Sequence, residues 1–432
     1  MKVVNSSQIT PFGGLNFVLS EFEKNGIGHL INQHLPALAS QSQYSWKDIF
    51  YSFWSVLFCG GDCAEDLAMN LKSSFVNNPF MNLPSPDRIL ERMKQLAEEK
   101  IMCTSKRGQS THEFCINDSL NVLNLKLLKR INALANKKPQ TLDYDNTYIF
   151  SDKADARNTY LKQYGYAPAV GFIGKQVVYL ENRNGNTDAQ TLQEDTLKRM
   201  FVMLKEQGVI IDKFRADSAS YKLATLSVIA HNVNKFYIRA RMNETLAEVI
   251  HTINDWKEIA IDGQKAFRAS IDFTPFEKIA KRSKQQDALV SCRLVITKAK
   301  RKNGQIDLFT GDDFFYSAII TNDYKLSNDR IVFFYNQRGA IEREFDVLKN
   351  DFAWDNMPFS KIEQNTVFLL ITAICRNLYG YIISTFSKIY THLSSSFRLK
   401  KFIFRFICIP AKWIRSARSQ KLRLYGQLSF RT

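Results

Sequence analysis

Three acidic residues stand where carboxylates can do chemistry. Asp145 lies in Asp143-Tyr144-Asp145-Asn146-Thr147 on the first strand of an α/β pattern, Asp217 ends the fourth in Phe214-Arg215-Ala216-Asp217-Ser218, and Glu342 sits on a late helix. Ligands bind such sheets beyond the carboxyl ends of the strands. Two or three carboxylates converging there would hold a pair of hard divalent ions, Mg²⁺ or Mn²⁺, with room for phosphate oxygens. One ion would activate the attacking water or hydroxyl and the other would stabilise the leaving oxygen. Any single Asp or Glu is ordinarily a solvated surface charge, so convergence carries this reading. Asp143 and Asp145, two apart on a strand, point to the same side, and period does not choose between them.

The strongest local signal runs from Tyr335 to Lys349. If the stretch is one helix, Tyr335, Arg338, Glu342 and Lys349 fall within an arc of roughly 60°, with Ile341, Phe345 and Leu348 as the adjoining apolar stripe. Such a helix docks by its stripe and presents one carboxylate flanked by two cations and a phenol. That set suits a site gripping a phosphodiester, because the cations neutralise nonbridging oxygens. An ordinary helix face, with Arg338 and Glu342 paired at four-residue spacing, fits the same residues.

The elements that must position these groups are readable in outline. Residues from about 16 to 100 carry apolar side chains at helical spacing in LNFVLSEFEKNGIGHLI, WKDIFYSFWSVLF and DRILERMKQLAEE, the last opened by Ser85, Pro86 and Asp87. From Thr141 the pattern becomes strand TLDYDNTYIF, then a hairpin in PAVGFIGKQVVYLE turning at Gly174 and Lys175, helix, strand VIIDKFRAD, helix and strand KFYIRAR. That order predicts an α/β domain with a mixed sheet, the arrangement of a ribonuclease H-like core, although other α/β folds share it. Residues 241–330 read as a β-rich insertion with no helix of convincing period in its later part, and the second half of the core begins with a helix near Asn336. The predicted division is a helical N-terminal DNA-binding domain at 1–110, the first part of the core at 138–240, the insertion at 241–330, the second part at 331–385 and a basic segment at 386–432.

Composition narrows the function classes. A 432-residue chain that is 45% hydrophobic and 23% charged, with 18 Gly and 10 Pro, is neither collagen-like nor wholly disordered. Its net charge of +17 favours polyanionic partners. No acidic residue follows Glu363, and the basic residues beyond it, among them Arg398, Lys400, Lys401, Arg405, Lys412, Arg418 and Arg431, are interleaved with Phe402, Phe404, Phe406, Trp413 and Tyr425. That mixture points to nucleic acid more than to a membrane surface. The amino terminus lacks a signal-peptide core, and the apolar run Thr366 to Ile383 is broken by Arg376 and Asn377, which predicts a cytoplasmic protein. Seven cysteines argue against a disulfide framework, and Cys59 and Cys63 lack the partners of a zinc site. GFIGK does not have P-loop spacing, so ATP dependence is not indicated.

Tyr-x2-Arg-x3-Glu-x6-Lys, matched without a gap by Tyr335, Arg338, Glu342 and Lys349, resembles the signature of a large group of bacterial insertion-sequence transposases of the DDE class. Asp145-Asn146-Thr147 is similar to the group's first-aspartate motif, which favours Asp145 over Asp143, and Asp217 in RADS looks like the second aspartate. Arg183-Asn184-Gly185-Asn186-Thr187 is similar to the Gly-Asn-Thr loop between them, and the β-rich stretch resembles the group's insertion domain. The resemblance spans roughly residues 140 to 385. It implies a ribonuclease H-like core in which Asp145, Asp217 and Glu342 hold two Mg²⁺ ions, with Mn²⁺ as a substitute, while Tyr335, Arg338 and Lys349 hold transposon-end phosphates. It further implies cleavage of double-stranded DNA at terminal inverted repeats, strand transfer into target DNA, a homodimer in the synaptic complex and a nucleoid-associated location. Trp256 and Trp354 are candidates for stacking an unpaired end base. A nuclease with the same core and a non-catalytic, transposase-derived regulator are the competing readings.

Overall fold

The computed structural model describes residues 9–75, 78–104, 110–134, 138–301, 304–416, 419–426 and 428. Its first helices are α1 (Leu15–Lys24), α2 (Ile27–His34), α3 (Trp46–Phe58), the short α4 (Lys72–Phe75) and α5 (Pro86–Gln95). Ser45 and Asp48 form a capping box on α3, and the Ser85 side chain accepts the Arg88 N–H to start α5, with Pro86 at its first position. Every residue of α3 except Lys47 is buried, as its nearly continuous apolar sequence requires.

Strands β1 (Ile101–Thr104) and β2 (Thr111–Ile116) and helix α6 (Asp118–Arg130) follow, in a stretch where the sequence reading placed no such elements. Then come β3 (Gln140–Asn146) and a small separate sheet of β4 (Ile149–Phe150), β5 (Arg157–Asn158) and β6 (Tyr164–Tyr166). The hairpin of β7 (Ala169–Ile173) and β8 (Gln176–Arg183) turns at Gly174, whose φ of +59° suits a residue without a Cβ. Helix α7 (Gln193–Glu206) leads to β9 (Ile211–Ala216), and α8 (Leu223–Asn232) to β10 (Lys235–Ala240). Strand β9 runs parallel to both β3 and β10, so each connection needs the crossover that its helix supplies.

Residues 241–330 hold α9 (Glu244–His251), β11 (Lys257–Ile261), β12 (Gln264–Phe273), α10 (Glu277–Ser283), β13 (Cys292–Lys300) and β14 (Phe314–Thr321). Of its two helices, α10 falls in the later part, where no helix was expected; at seven residues it is too short to display a clear period. The strands also do not stand apart. β14 pairs antiparallel with β10, and the main sheet runs in the order β1-β2-β8-β7-β3-β9-β10-β14-β13-β12-β11.

After α11 (Asn328–Asn336) and α12 (Ala340–Asp351) comes the 28-residue α13 (Ile362–Ile389). By length and composition α13 could cross a membrane, yet 89% of its most apolar window is buried inside the protein. The polar residues that break its apolar run are paired. Arg376 bonds Glu344 on α12, and Asn377 accepts the Val177 N–H at 3.0 Å while donating to Asn124 Oδ1 at 2.9 Å. On its other side, Trp54 of α3 donates its indole N–H to the Ile371 carbonyl at 3.0 Å. The chain closes with α14 (Leu399–Phe402) and the hairpin β15 (Ala411–Ser416) and β16 (Ser419–Leu424). Phe402, Phe406 and Ile407 are buried in the same core as α1 and α3, and a Cβ on Gly14 would lie 1.9 Å from the Phe406 carbonyl, so the amino-terminal segment meets this one at a distance only glycine allows.

Candidate active site

The sheet itself separates Asp143 from Asp145. On β3, Leu142 and Tyr144 are buried on one face, leaving Asp143 and Asp145 on the other. The parallel register sets Asp143 beside Arg215 and Tyr144 beside Ala216, so the next step along both strands brings Asp145 level with Asp217. Asp143 is 3% exposed and gripped by a bidentate Arg215, Nε to Oδ1 at 2.6 Å and Nη2 to Oδ2 at 2.7 Å. The remaining Arg215 nitrogen donates to the Phe334 carbonyl at 2.6 Å, and the guanidinium lies 4.7 Å from the Phe334 ring. Asp143 and Arg215 thus form a clamp tying both strands to the end of α11. Sequence reasoning missed Arg215; an Arg two residues before one acid and facing another was the available signal.

Asp145 and Asp217 then form the upper acid pair. Asp145 accepts the Arg338 Nη1–H at 2.9 Å and the Asn146 N–H at 2.9 Å. Burial, reinforced by the negative charge of Asp217, pushes its carboxyl up to about 6 against the pull of Arg338. Asp217 uses one oxygen to accept the Ala219 N–H at 3.0 Å, capping the turn Ser218–Ser220. A raised carboxyl beside a second acid is the environment a cation relieves, so the donor set at this strand edge fits a hard divalent ion.

The Tyr335–Lys349 stretch is not one helix. It breaks into the end of α11, a 3₁₀ turn at Gln337–Gly339 and α12, which changes the phase between Tyr335 and Glu342. Tyr335 is 6% exposed and packs with Tyr237, Val295, Ile319 and Ile331, so its ring faces a core instead of solvent. Arg338 reaches Asp145. Ile341, Phe345 and Leu348 are buried as the apolar stripe requires.

Of the acids on α12, Glu344 is buried against Arg376 and Asp346 pairs with Arg398 at 2.6 Å. Glu342 is 71% exposed, with Arg338 Nη2 at 3.9 Å. The three predicted carboxylates do not close into a cage. Among the described residues, the one His, Cys, Asp or Glu group with all its ligand atoms within 4.8 Å is Asp62, Cys63 and Asp66. Lys349 donates to the Tyr148 carbonyl at 2.5 Å, which occupies one of its three N–H groups.

Trp354 is fully buried and donates to Thr372 Oγ1 at 3.0 Å, so it is a core residue and not a stacker. Trp256 is partly buried beneath the Lys298 ammonium, 4.0 Å from its ring. In the Arg183–Thr187 loop, Arg183, Asn184 and Thr187 are fully buried. In the basic carboxyl-terminal segment Lys400, Lys401, Phe404 and Arg405 are exposed, while Arg418 and Arg431 lie outside the described residues.

No curated protein matches the chain. Among solved structures, a piggyBac transposase synaptic complex with hairpin DNA is similar at 12% identity and a TM-score of 0.45, over 92% of this chain and 79% of that one. The family model described as transposase DDE domain group 1 matches residues 4–431, and the chain belongs to that family of transposases.

Proposed function

We propose that this transposase binds the terminal inverted repeats of an insertion sequence as a homodimer, cleaves the ends and joins them to target DNA, with Asp145, Asp217 and Glu342 as its catalytic carboxylates. The observation that carries the reading is the pairing of Asp145 and Asp217 at the carboxyl ends of adjacent parallel strands, with Asp145 held near 6 by burial and by its neighbour. The strand order β8-β7-β3-β9-β10, an antiparallel hairpin followed by two parallel strands, supports a ribonuclease H-like core formed by residues 138–240 and 331–385. The stretches 1–110, 241–330 and 386–432 are its helical DNA-binding, inserted and basic parts.

Mg²⁺ ions, or Mn²⁺ in their place, held by the three acids would supply an activated oxygen nucleophile and stabilise the leaving oxygen. Arg338 orients Asp145, and Lys349 offers its free N–H groups to a backbone phosphate. Glu342, exposed on the first turn of α12, completes the set by turning its side chain toward the strand ends. Tyr335 supports the Arg338 turn from the core side. A bacterial, nucleoid-associated location follows from this reading.

Cleavage and joining of a DNA fragment carrying the element's own flanking repeats, with Mg²⁺ and with EDTA, tests it. Metal-dependent joined products are expected, with Asp217→Ala reducing them by about a thousandfold or more and leaving end binding intact. Cut but unjoined ends would make the protein a nuclease. Binding with no cleavage in either protein would make it a regulator.

A further inference from the structure

We propose that Tyr148, Phe150 and Tyr160 form a platform on which unpaired nucleobases of the DNA strand at the carboxylate site stack. This rests on the reading of that site as one that cuts DNA. The chain leaves β3 one residue after Asp145 and enters the small β4-β6-β5 sheet at Ile149, around which Phe150, Tyr160 and Tyr164 are exposed. The Tyr148 and Phe150 rings lie nearly parallel, 6.5 Å apart at 7°, and Tyr160 meets Tyr148 edge-on at 5.3 Å. Phe150 is 42% and Tyr160 73% exposed. Exposed rings in a cluster mark an interaction surface, because single scattered apolar residues do not assemble this way.

Charge and position select the occupant. Arg157 and Lys162, both exposed, lie on the same small sheet and the loop that follows, so a polyanion is favoured over an apolar protein face. Lys349 donates to the carbonyl of Tyr148 itself, which places the ammonium proposed to hold a backbone phosphate against the backbone of the platform. A strand whose phosphate rests on Lys349 therefore carries its bases toward the rings. Stacking of this kind is indifferent to sequence, since every base has a π-face.

The platform is also fixed in place. Gly185 donates its N–H to the Gly165 carbonyl at 3.0 Å, and a Cβ there would lie 2.2 Å from the Arg157 carbonyl and 2.5 Å from that of Gly165. Asn184 donates to the Asp155 carbonyl at 2.8 Å, and Tyr166 bonds the Asp155 carboxylate. The buried Arg183–Thr187 loop thus acts as the bracket that holds the small sheet beside Asp145.

The test uses the full chain in EDTA, with a fluorescent oligo(dT) of about 20 nucleotides, longer than a single such site, and a mixed-sequence duplex of the same length. Tyr160→Ala and Phe150→Ala are expected to weaken oligo(dT) binding about tenfold and duplex binding less than about twofold. Tyr160→Phe, which keeps the ring, retains the affinity. A 2-aminopurine base in the oligonucleotide is quenched by the wild type and not by Tyr160→Ala. Unchanged oligo(dT) affinity in both alanine variants, equal losses on single strand and duplex, or no oligo(dT) binding by the wild type would overturn the proposal. So would a change confined to the sedimentation of the free protein, which would make the patch a contact between chains. Because no metal and no cleavage enter this assay, its failure leaves the carboxylate reading standing, and failure of the cleavage assay is told apart from it by the separate readout.

Discussion

Asp145 and Asp217 stand at the ends of neighbouring parallel strands, where burial, reinforced by the charge of Asp217, raises the Asp145 carboxyl to about 6, while Glu342 stands 71% exposed on the first turn of α12, 3.9 Å from the Arg338 guanidinium. Beneath the strand pair lies a buried Asp143–Arg215 clamp; α12, which carries Glu342, is held by its apolar stripe and by the buried Glu344–Arg376 pair. The difference teaches that the fold itself brings the two aspartates together, whereas it leaves Glu342 at the surface with a single long ion pair.

Three measurements separate the two sides by their weight in stability. Arg215→Met strands Asp143 as an unpaired buried charge and releases the Phe334 carbonyl, so urea unfolding should show a loss of about 3–5 kcal/mol. Adding Asp143→Leu should recover most of it, because the loss comes from the orphaned charge.

A smaller effect is expected from pH. The native Asp145 carboxyl holds its proton more tightly than the unfolded one, so its contribution to stability falls as pH rises from about 4 toward 6 and stays lost above. In Asp217→Asn the neighbouring charge is gone, and Tm measured across that window should decline less. At neutral pH, added Mg²⁺ should raise the Tm of the wild type and not that of Asp217→Asn. The smallest effect belongs to Glu342→Gln, which should leave stability within about 0.5 kcal/mol while lowering cleavage by at least about a hundredfold. A large loss of stability there would place Glu342 in the framework after all.

The same contrast explains what the sequence disclosed. Alternation in β3 and the turn at Gly174 were legible because strand period and hairpin chemistry are local, and the helix start at Ser85 is local too. The two short helices of residues 241–330 and the pairing of β14 with β10 were not, since pairing between distant strands leaves no mark in either strand's own pattern. At the site, period placed Asp143 and Asp145 on one face but could not say which is locked into the strand framework, because the answer lay in Arg215, 72 residues away. The single-helix reading of Tyr335–Lys349 failed at Gln337–Gly339 because a 3₁₀ turn keeps helical composition while shifting the phase. Trp354, one of two candidate stackers, proves to be core for a related reason: a ring's type says nothing of which side of a helix bundle it will occupy.

Helix α13 touches Trp54 of the first helices, Val177 of the sheet and Glu344 of α12, yet it is made of residues 362–389. On the ribosome these contacts form late. The earlier helices and the sheet must wait for it with their apolar faces open, which makes the nascent chain a client for chaperones until its last fifth is synthesised. A copy of the gene interrupted ahead of codon 362 would therefore yield material for proteolysis instead of a folded competitor for the DNA ends, and decayed copies of this kind would not restrain an intact one.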